Sequence, residues 1–179
     1  MLTHGLPDWE WPTLRDIVIY STSFDDDYQV GGDARILGMV HAQGPIVFSA
    51  RDLHHGHCKA QDGLNVGLHE LAHVMDFADG RADGLPGGLS WVGTAPWIQL
   101  MADRLRAMQE GTDSGALRDY AGKNEAELFA VAVEVFFERP RSLRKRDPEL
   151  YEMLQGFFGQ DPAAMKSAKK APSKRSRRS

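Results

Sequence analysis

The chain has one cysteine, Cys58, so no internal disulfide can staple the fold. It has no stretch approaching the roughly 18 consecutive apolar residues of a membrane span, which argues against a transmembrane helix. Residues 1–10 (MLTHGLPDWE) contain neither a basic n-region nor an apolar h-region, so no secretory signal is expected. Together with the single thiol, this points to a reducing cytoplasm. No histidine follows His73, so no motif can draw a third imidazole from downstream. Acid is missing from residues 166–179, which hold seven Lys or Arg and no Asp or Glu.

What is present is an ordinary soluble composition, 42% hydrophobic and 26% charged, in 179 residues, a length that suits one domain with a substantial core. The formal net charge of −4 hides an asymmetry, because removing the seven positive charges of the C-terminal stretch leaves −11 on the rest. That stretch lacks apolar periodicity and cannot offset its ordering entropy. The reading is therefore a folded domain over 1–162 and a disordered basic tail over 163–179. A basic tail has a weak claim to nucleic acid. The plainer reading is a solvated segment held loosely against an acidic domain.

Residues 69–73 read His-Glu-Leu-Ala-His. On a helix, positions i and i+4 share a face, so His69 and His73 can grip one metal ion. Glu70 then turns toward the open position of the metal, where it can take a proton from water. Val66, Leu68, Leu71, Ala72, Val74 and Met75 around the motif are apolar, as a buried active-site helix requires. The metal helix is expected near 62–78, with Gly80 able to end it.

Before it, Ile17–Tyr20 within 14–20, then 35–42 and 45–49, read as three short strands, with Gln43-Gly44 as a tight turn between the last two. The glycine-rich stretch 79–93 reads as a loop. A helix follows from near Thr94, with Pro96 in its first turn and Trp97, Leu100, Met101, Leu105 and Met108 as a core stripe. Residues 111–122 read as a loop, about 125–138 as a helix, and Pro148–Phe158 as a last helix capped by Asp147. His54-His55-Gly56-His57-Cys58 falls in a stretch, 51–62, that reads as an exposed loop. Three imidazoles and a thiol can bind a transition metal adventitiously, but adjacent residues rarely converge on one ion.

Two His ligands leave a tetrahedral catalytic zinc one protein ligand short, and a carboxylate from a second helix is the natural source. Glu127 and Glu134 are seven apart on one face of the 125–138 helix, among small apolar residues. Each also has a plain reading. Asn124 with Glu127 resembles a capping box. Glu134 can pair with a basic residue, and Glu138 reads as solvated. Asp76, on the metal-facing stripe, can fix an imidazole tautomer or simply anchor the helix end. Tyr120, seven before Glu127, can donate to an oxyanion or pack.

The stretches NVGLHELAHVMD (65–76), DGRADGLP (79–86) and YAGKNEAELFAVAVEVFFERP (120–140), with 45–49 and 160–162, resemble the Mlc titration factor A family of zinc-dependent peptidases over about residues 9–162. The resemblance implies a gluzincin-like centre related to lethal-factor-type proteases. His69, His73 and Glu127 then look like the Zn2+ ligands, Glu70 like the general base and Tyr120 like the oxyanion-stabilising tyrosine. It implies a zincin-like α+β fold, with a small mixed or antiparallel sheet beside the metal helix. It implies hydrolysis of peptide or protein substrates. The competing class is a non-catalytic, zinc-stabilised regulator that binds another protein, such as a transcriptional regulator. Glu127 and Glu134 stand about 10 Å apart along the helix axis, so both cannot bind one ion. With Glu127 as ligand, its carboxylate should lie roughly 3–4 Å from the nitrogens of both histidines. Family members usually carry a longer N-terminal helical segment.

Overall fold

A computed structural model describes the chain except for positions 12, 13, 15, 32–34, 42, 43, 60, 61, 90 and 166–179. Most of the basic tail lies outside the described residues. Ala163, at its expected start, packs into the core at 3% exposure, and its N–H donates to the Tyr151 hydroxyl.

Three strands come first: β1 (Ile17–Tyr20), β2 (Gly38–Val40) and β3 (Ile46–Ser49). The order is β1-β3-β2, with β1 parallel and β2 antiparallel to β3, so the sheet is mixed. The β2–β3 connection closes with Gly44 N–H donating to His41 O. β3 is buried along its whole length, as a central strand should be. β1 pairs on one side only and leaves Ile17 and Ile19 more than half exposed.

The helices are α1 (Ala50–Cys58), α2 (Val66–Asp76), α3 (Trp91–Gln109), α4 (Glu125–Glu138), α5 (Pro140–Arg146) and α6 (Pro148–Phe158). The fold is α+β. α2 starts where Asn65 Oδ1 accepts from Leu68 N–H, a side-chain cap that satisfies an orphan donor of the first turn. It ends through a 3-10 turn, Phe77–Asp79, with Gly80 at φ +89. The HExxH sequence thus sits on a capped, two-sided helix. One side (Leu68, Ala72, Met75) joins the main core, while Val74 meets Ile46 and Phe48 of the sheet.

α4 is the spine of that core. Every residue from Leu128 to Phe136 is buried, and α3, α5 and α6 supply Trp97, Leu143 and Leu154 around it. A helix apolar on all sides belongs inside a protein, so the charges it does carry must be matched there.

Three segments depart from the sequence reading. The expected loop over 51–62 contains α1, because Ser49 caps it, accepting from Asp52 N–H while its hydroxyl donates to the Asp52 carboxylate. α3 begins at Trp91, inside the stretch expected to be loop, and Pro96 is accommodated within it. α5, with Pro140 in its first turn, was also not foreseen. Among the described residues no helix is long and apolar enough to cross a membrane.

Candidate metal centre

α2 and α4 pack against each other and bring three side chains to one point. Glu127 Oε2 lies 3.1 Å from His69 Nε2 and 3.5 Å from His73 Nε2, and the two imidazole nitrogens are 3.2 Å apart. Ligands of one tetrahedral zinc, each bonded at about 2.0–2.1 Å, stand about 3.3 Å from one another. The triangle therefore has the size that one small divalent ion requires.

Two further observations make the same fit. Glu127 Oε2 is buried and makes no hydrogen bond of good geometry among the described residues. The two rings present Nε2 to Nε2 at 3.2 Å, so both lone pairs can be directed at one ion between them. Burial works against a charged His69, but the carboxylates of Glu127 and Glu134 outweigh it and push the imidazole up to about 9. Burial also opposes ionisation of Glu127, yet His69 and His73 drive its carboxyl far below the ordinary range. A centre that draws positive charge this strongly suits a dication.

Glu127 is capped as well as aimed. Asn124 Oδ1 accepts from Glu127 N–H at 2.9 Å, so the capping half of the plain reading is present. The Glu127 carboxylate does not fold back on Asn124. It faces the imidazoles and accepts from the Tyr120 hydroxyl at 3.0 Å through Oε1. Lys123 stands 3.8 Å from the same oxygen. Tyr120 lies in a 3-10 turn, Asp119–Lys123, with its ring 6.0 Å from that of His69. Burial and the Glu127 charge push its phenol up to about 12, so it stays a donor.

Glu134, one of the two candidate ligands, takes a different position. Its Oε1 meets His69 Nδ1 at 2.7 Å and accepts from Arg118 at 2.6 Å, while Oε2 accepts from Asn65 N–H at 2.8 Å. By accepting from Nδ1–H, the Glu134 carboxylate favours the tautomer that leaves the lone pair on Nε2, the one a metal ligand needs. Burial opposes the charge on Glu134, but His69 and Arg118 hold its carboxyl below the ordinary range. Glu138, read as solvated, is 7% exposed and accepts from Asn65 Nδ2.

Asp76 does not fix a tautomer here, because neither of its carboxylate oxygens accepts a hydrogen bond of good geometry from an imidazole among the described residues. It is fully buried, and neither carboxylate oxygen meets a partner of good geometry among the described residues. Burial pushes its carboxyl up to about 7, against the pull of the Gly84 backbone N–H. The folded chain holds this proton more tightly than the unfolded chain. Asp76 therefore stabilises the fold fully below about pH 4, and that contribution is lost as pH rises through about 7. Asp76→Asn should flatten the fall in stability across that window, read by urea denaturation of chelator-treated protein at several pH values. An unchanged slope would count against a buried charge at this position.

Glu70 lies on α2 at 6% exposure, outside the ligand triangle. Burial pushes its carboxyl up, against the pull of His69 and His73. It packs on the backbone of β2, where a Cβ added at Gly38 would come within 2.6 Å of Glu70 Cγ and 2.7 Å of Oε1. Gly38 and Arg118 escaped the sequence reading. Neither carries a periodic signal, since one is a glycine in a short strand and the other reaches α4 from a loop. Beside the centre opens a cavity of about 980 Å³, lined by His69, Glu70 and Tyr120 together with residues of α1. The His54–Cys58 cluster lies on that helix. His54 Nε2 is 3.5 Å from Cys58 Sγ, both line the cavity, and neither belongs to the ligand triangle.

Comparison with known proteins gives this geometry a family. Mlc titration factor A of Pectobacterium atrosepticum is 36% identical over 168 residues, covering 84% of this chain and 61% of the relative. The proteins of that name from Yersinia enterocolitica and Escherichia coli are each 32% identical, over 170 and 168 residues. They are covered to 61% and 62% of their lengths, and the matches take in 84% and 86% of this chain. The chain thus spans about three-fifths of these relatives. A family model described as glucose-regulated metallo-peptidase M90 matches residues 1–159, and the chain belongs to that family.

Proposed function

We propose that the protein is a zinc-dependent peptidase, with His69, His73 and Glu127 holding the metal. One observation carries this reading. Glu70, a buried acid with no place in the ligand triangle, stands beside the cluster where the cavity opens. A structural metal site is closed by a fourth protein ligand and has no use for such an acid. Two imidazoles and one carboxylate suit zinc best among common divalent ions. When bound, the metal supplies Lewis-acid chemistry, lowering the pKa of water and polarising a carbonyl.

The rest falls to side chains. Glu70 accepts the proton of the attacking water and returns it to the leaving amine, a task helped by the rise in its pKa. Tyr120 keeps its proton and donates to the developing oxyanion, exchanging its present bond to Glu127. Glu134 holds His69 in register. β2 is a sheet edge beside Glu70, open to an extended peptide by strand addition. Gly38 supports both roles, because it leaves room for the Glu70 carboxylate. Gly38→Ala should lower kcat about 10- to 100-fold, the scale of a displaced catalytic group, with the metal content unchanged. Steady-state kinetics beside metal analysis would read this, and a full kcat in the variant would remove Gly38 from the account.

The direct test is metal analysis of the purified protein alongside cleavage of a peptide library. No metal, or no cleavage by the metal-loaded protein, overturns the reading. A second reading keeps a protein partner. The relatives are named for titration of Mlc, and the same fold can serve a zinc-stabilised regulator that binds a transcription factor. We favour a cytoplasmic location, since the one thiol is free and exposed.

A further inference from the structure

The cavity beside the candidate metal centre has a second wall that the proposed hydrolysis does not use. α1 turns Arg51, His54, His55 and Cys58 into it, the i, i+3, i+4, i+7 pattern of one helix face. Lys59, at the C-cap of α1, also lines the cavity, and so does Arg35, three residues before β2. All three cations are exposed, and none forms an ion pair among the described residues.

The acids of the same cavity are already engaged. Asp52 is held by Ser49, Glu134 by His69 and Arg118, and Glu70 belongs to the catalytic end. The fourth cation of the lining, Arg118, is matched by Glu134. The chain outside its C-terminal stretch carries a net −11, so three cations in one cavity with no ion pair among the described residues run against the general charge of the protein. Arg51 and Lys59 are eight residues apart, about 12 Å along the helix. That distance corresponds to roughly three to four residues of an extended peptide.

We propose that this wall is a carboxylate-selecting subsite. Arg35, Arg51 and Lys59 favour peptides that present a carboxylate a few residues from the scissile bond, whether from an acidic side chain or from a free C-terminus. The inference names a substrate class for the peptidase reading above and rests on it for its biological meaning. Its physical content is a binding preference, which is measurable without turnover.

The test uses the zinc-loaded Glu70→Gln protein and two random hexapeptide pools, one capped at both ends and one with a free C-terminus. Bound peptides are recovered and read by mass spectrometry. We expect Asp and Glu enriched about 3- to 10-fold at one position of the capped pool, or the free-acid pool retained over the capped one by a similar factor, the scale of a few partly screened charge pairs. The first outcome identifies a side-chain carboxylate and the second a C-terminus. R35Q/R51Q/K59Q should abolish the preference and keep the zinc. The three residues are exposed, so the substitution should leave the fold intact, and the single variants R51Q and K59Q guard against a fold that fails. No enrichment in either pool, or enrichment that survives the triple substitution, overturns the subsite. Selective binding without cleavage by wild-type protein would sustain the subsite and count against the peptidase.

Discussion

Glu70→Gln protein is expected to bind its metal at the wild-type stoichiometry and to lose about 10²- to 10⁴-fold in kcat on any peptide that the parent cleaves. The substitution keeps the shape of the side chain and removes only its capacity to accept a proton. Glu70 makes no corner of the ligand triangle, so the grip on the ion should survive. The side chain is 6% exposed and burial raises its pKa, so the neutral amide also relieves an unfavourable buried charge and should not weaken the fold. Turnover of a fluorogenic peptide measured beside metal content separates the two effects. Wild-type turnover in the variant would sink the mechanism. Joint loss of metal and turnover would recast Glu70 as part of the binding framework.

The second large effect is expected at Glu134, which touches no metal in this account. One carboxylate, 1% exposed, receives the Asn65 backbone N–H that opens α2, the Nδ1 edge of His69 and the Arg118 guanidinium. Removing its charge strands a buried imidazole and a partly buried arginine without their anion. Breaking a buried pair of this kind typically destabilises by about 3–5 kcal/mol. Loss of the partner that orients a metal-ligating imidazole typically weakens metal affinity by about 10- to 100-fold. Glu134→Gln should show both, in guanidinium unfolding of the metal-free protein and in a competition titration against a zinc-binding dye. Unchanged zinc affinity would reduce Glu134 to a packing residue.

The sequence made some of this legible and concealed the rest for identifiable reasons. The HExxH helix announces itself because its ligands are four residues apart in one element, so local geometry alone joins them. Glu127 could be reached by chemistry, since two imidazoles need a third donor and no later histidine exists. Its ambiguity with Glu134 could not be resolved locally, because both lie on the same face of α4. What separates them is the packing of α2, which sets one carboxylate against Nε2 and the other against Nδ1. Arg118 and Gly38 were invisible because their roles exist only across the tertiary fold. α1 was missed for another reason: its polar, histidine-rich face looks like loop composition. The signal was present in Ser49 and Asp52, a cap pair opening a helix that buries only Gly56 fully. Glu138 was misjudged by its place at a helix end, where the neighbouring Asn65 of α2 encloses it.

The two halves of the centre are separated along the chain by more than fifty residues, with the whole of α3 between them. During synthesis the imidazoles of α2 emerge well before α4 exists, and domains close only when their later elements arrive. Until then His69 has neither Glu127 at its Nε2 nor Glu134 at its Nδ1. Assembly of the three-residue cluster therefore waits for α4, the helix around which the hydrophobic core is built. A chain in which α4 has not yet packed on α2 lacks the cluster altogether, so the chemistry proposed for this site would be confined to molecules in which the two helices have already met.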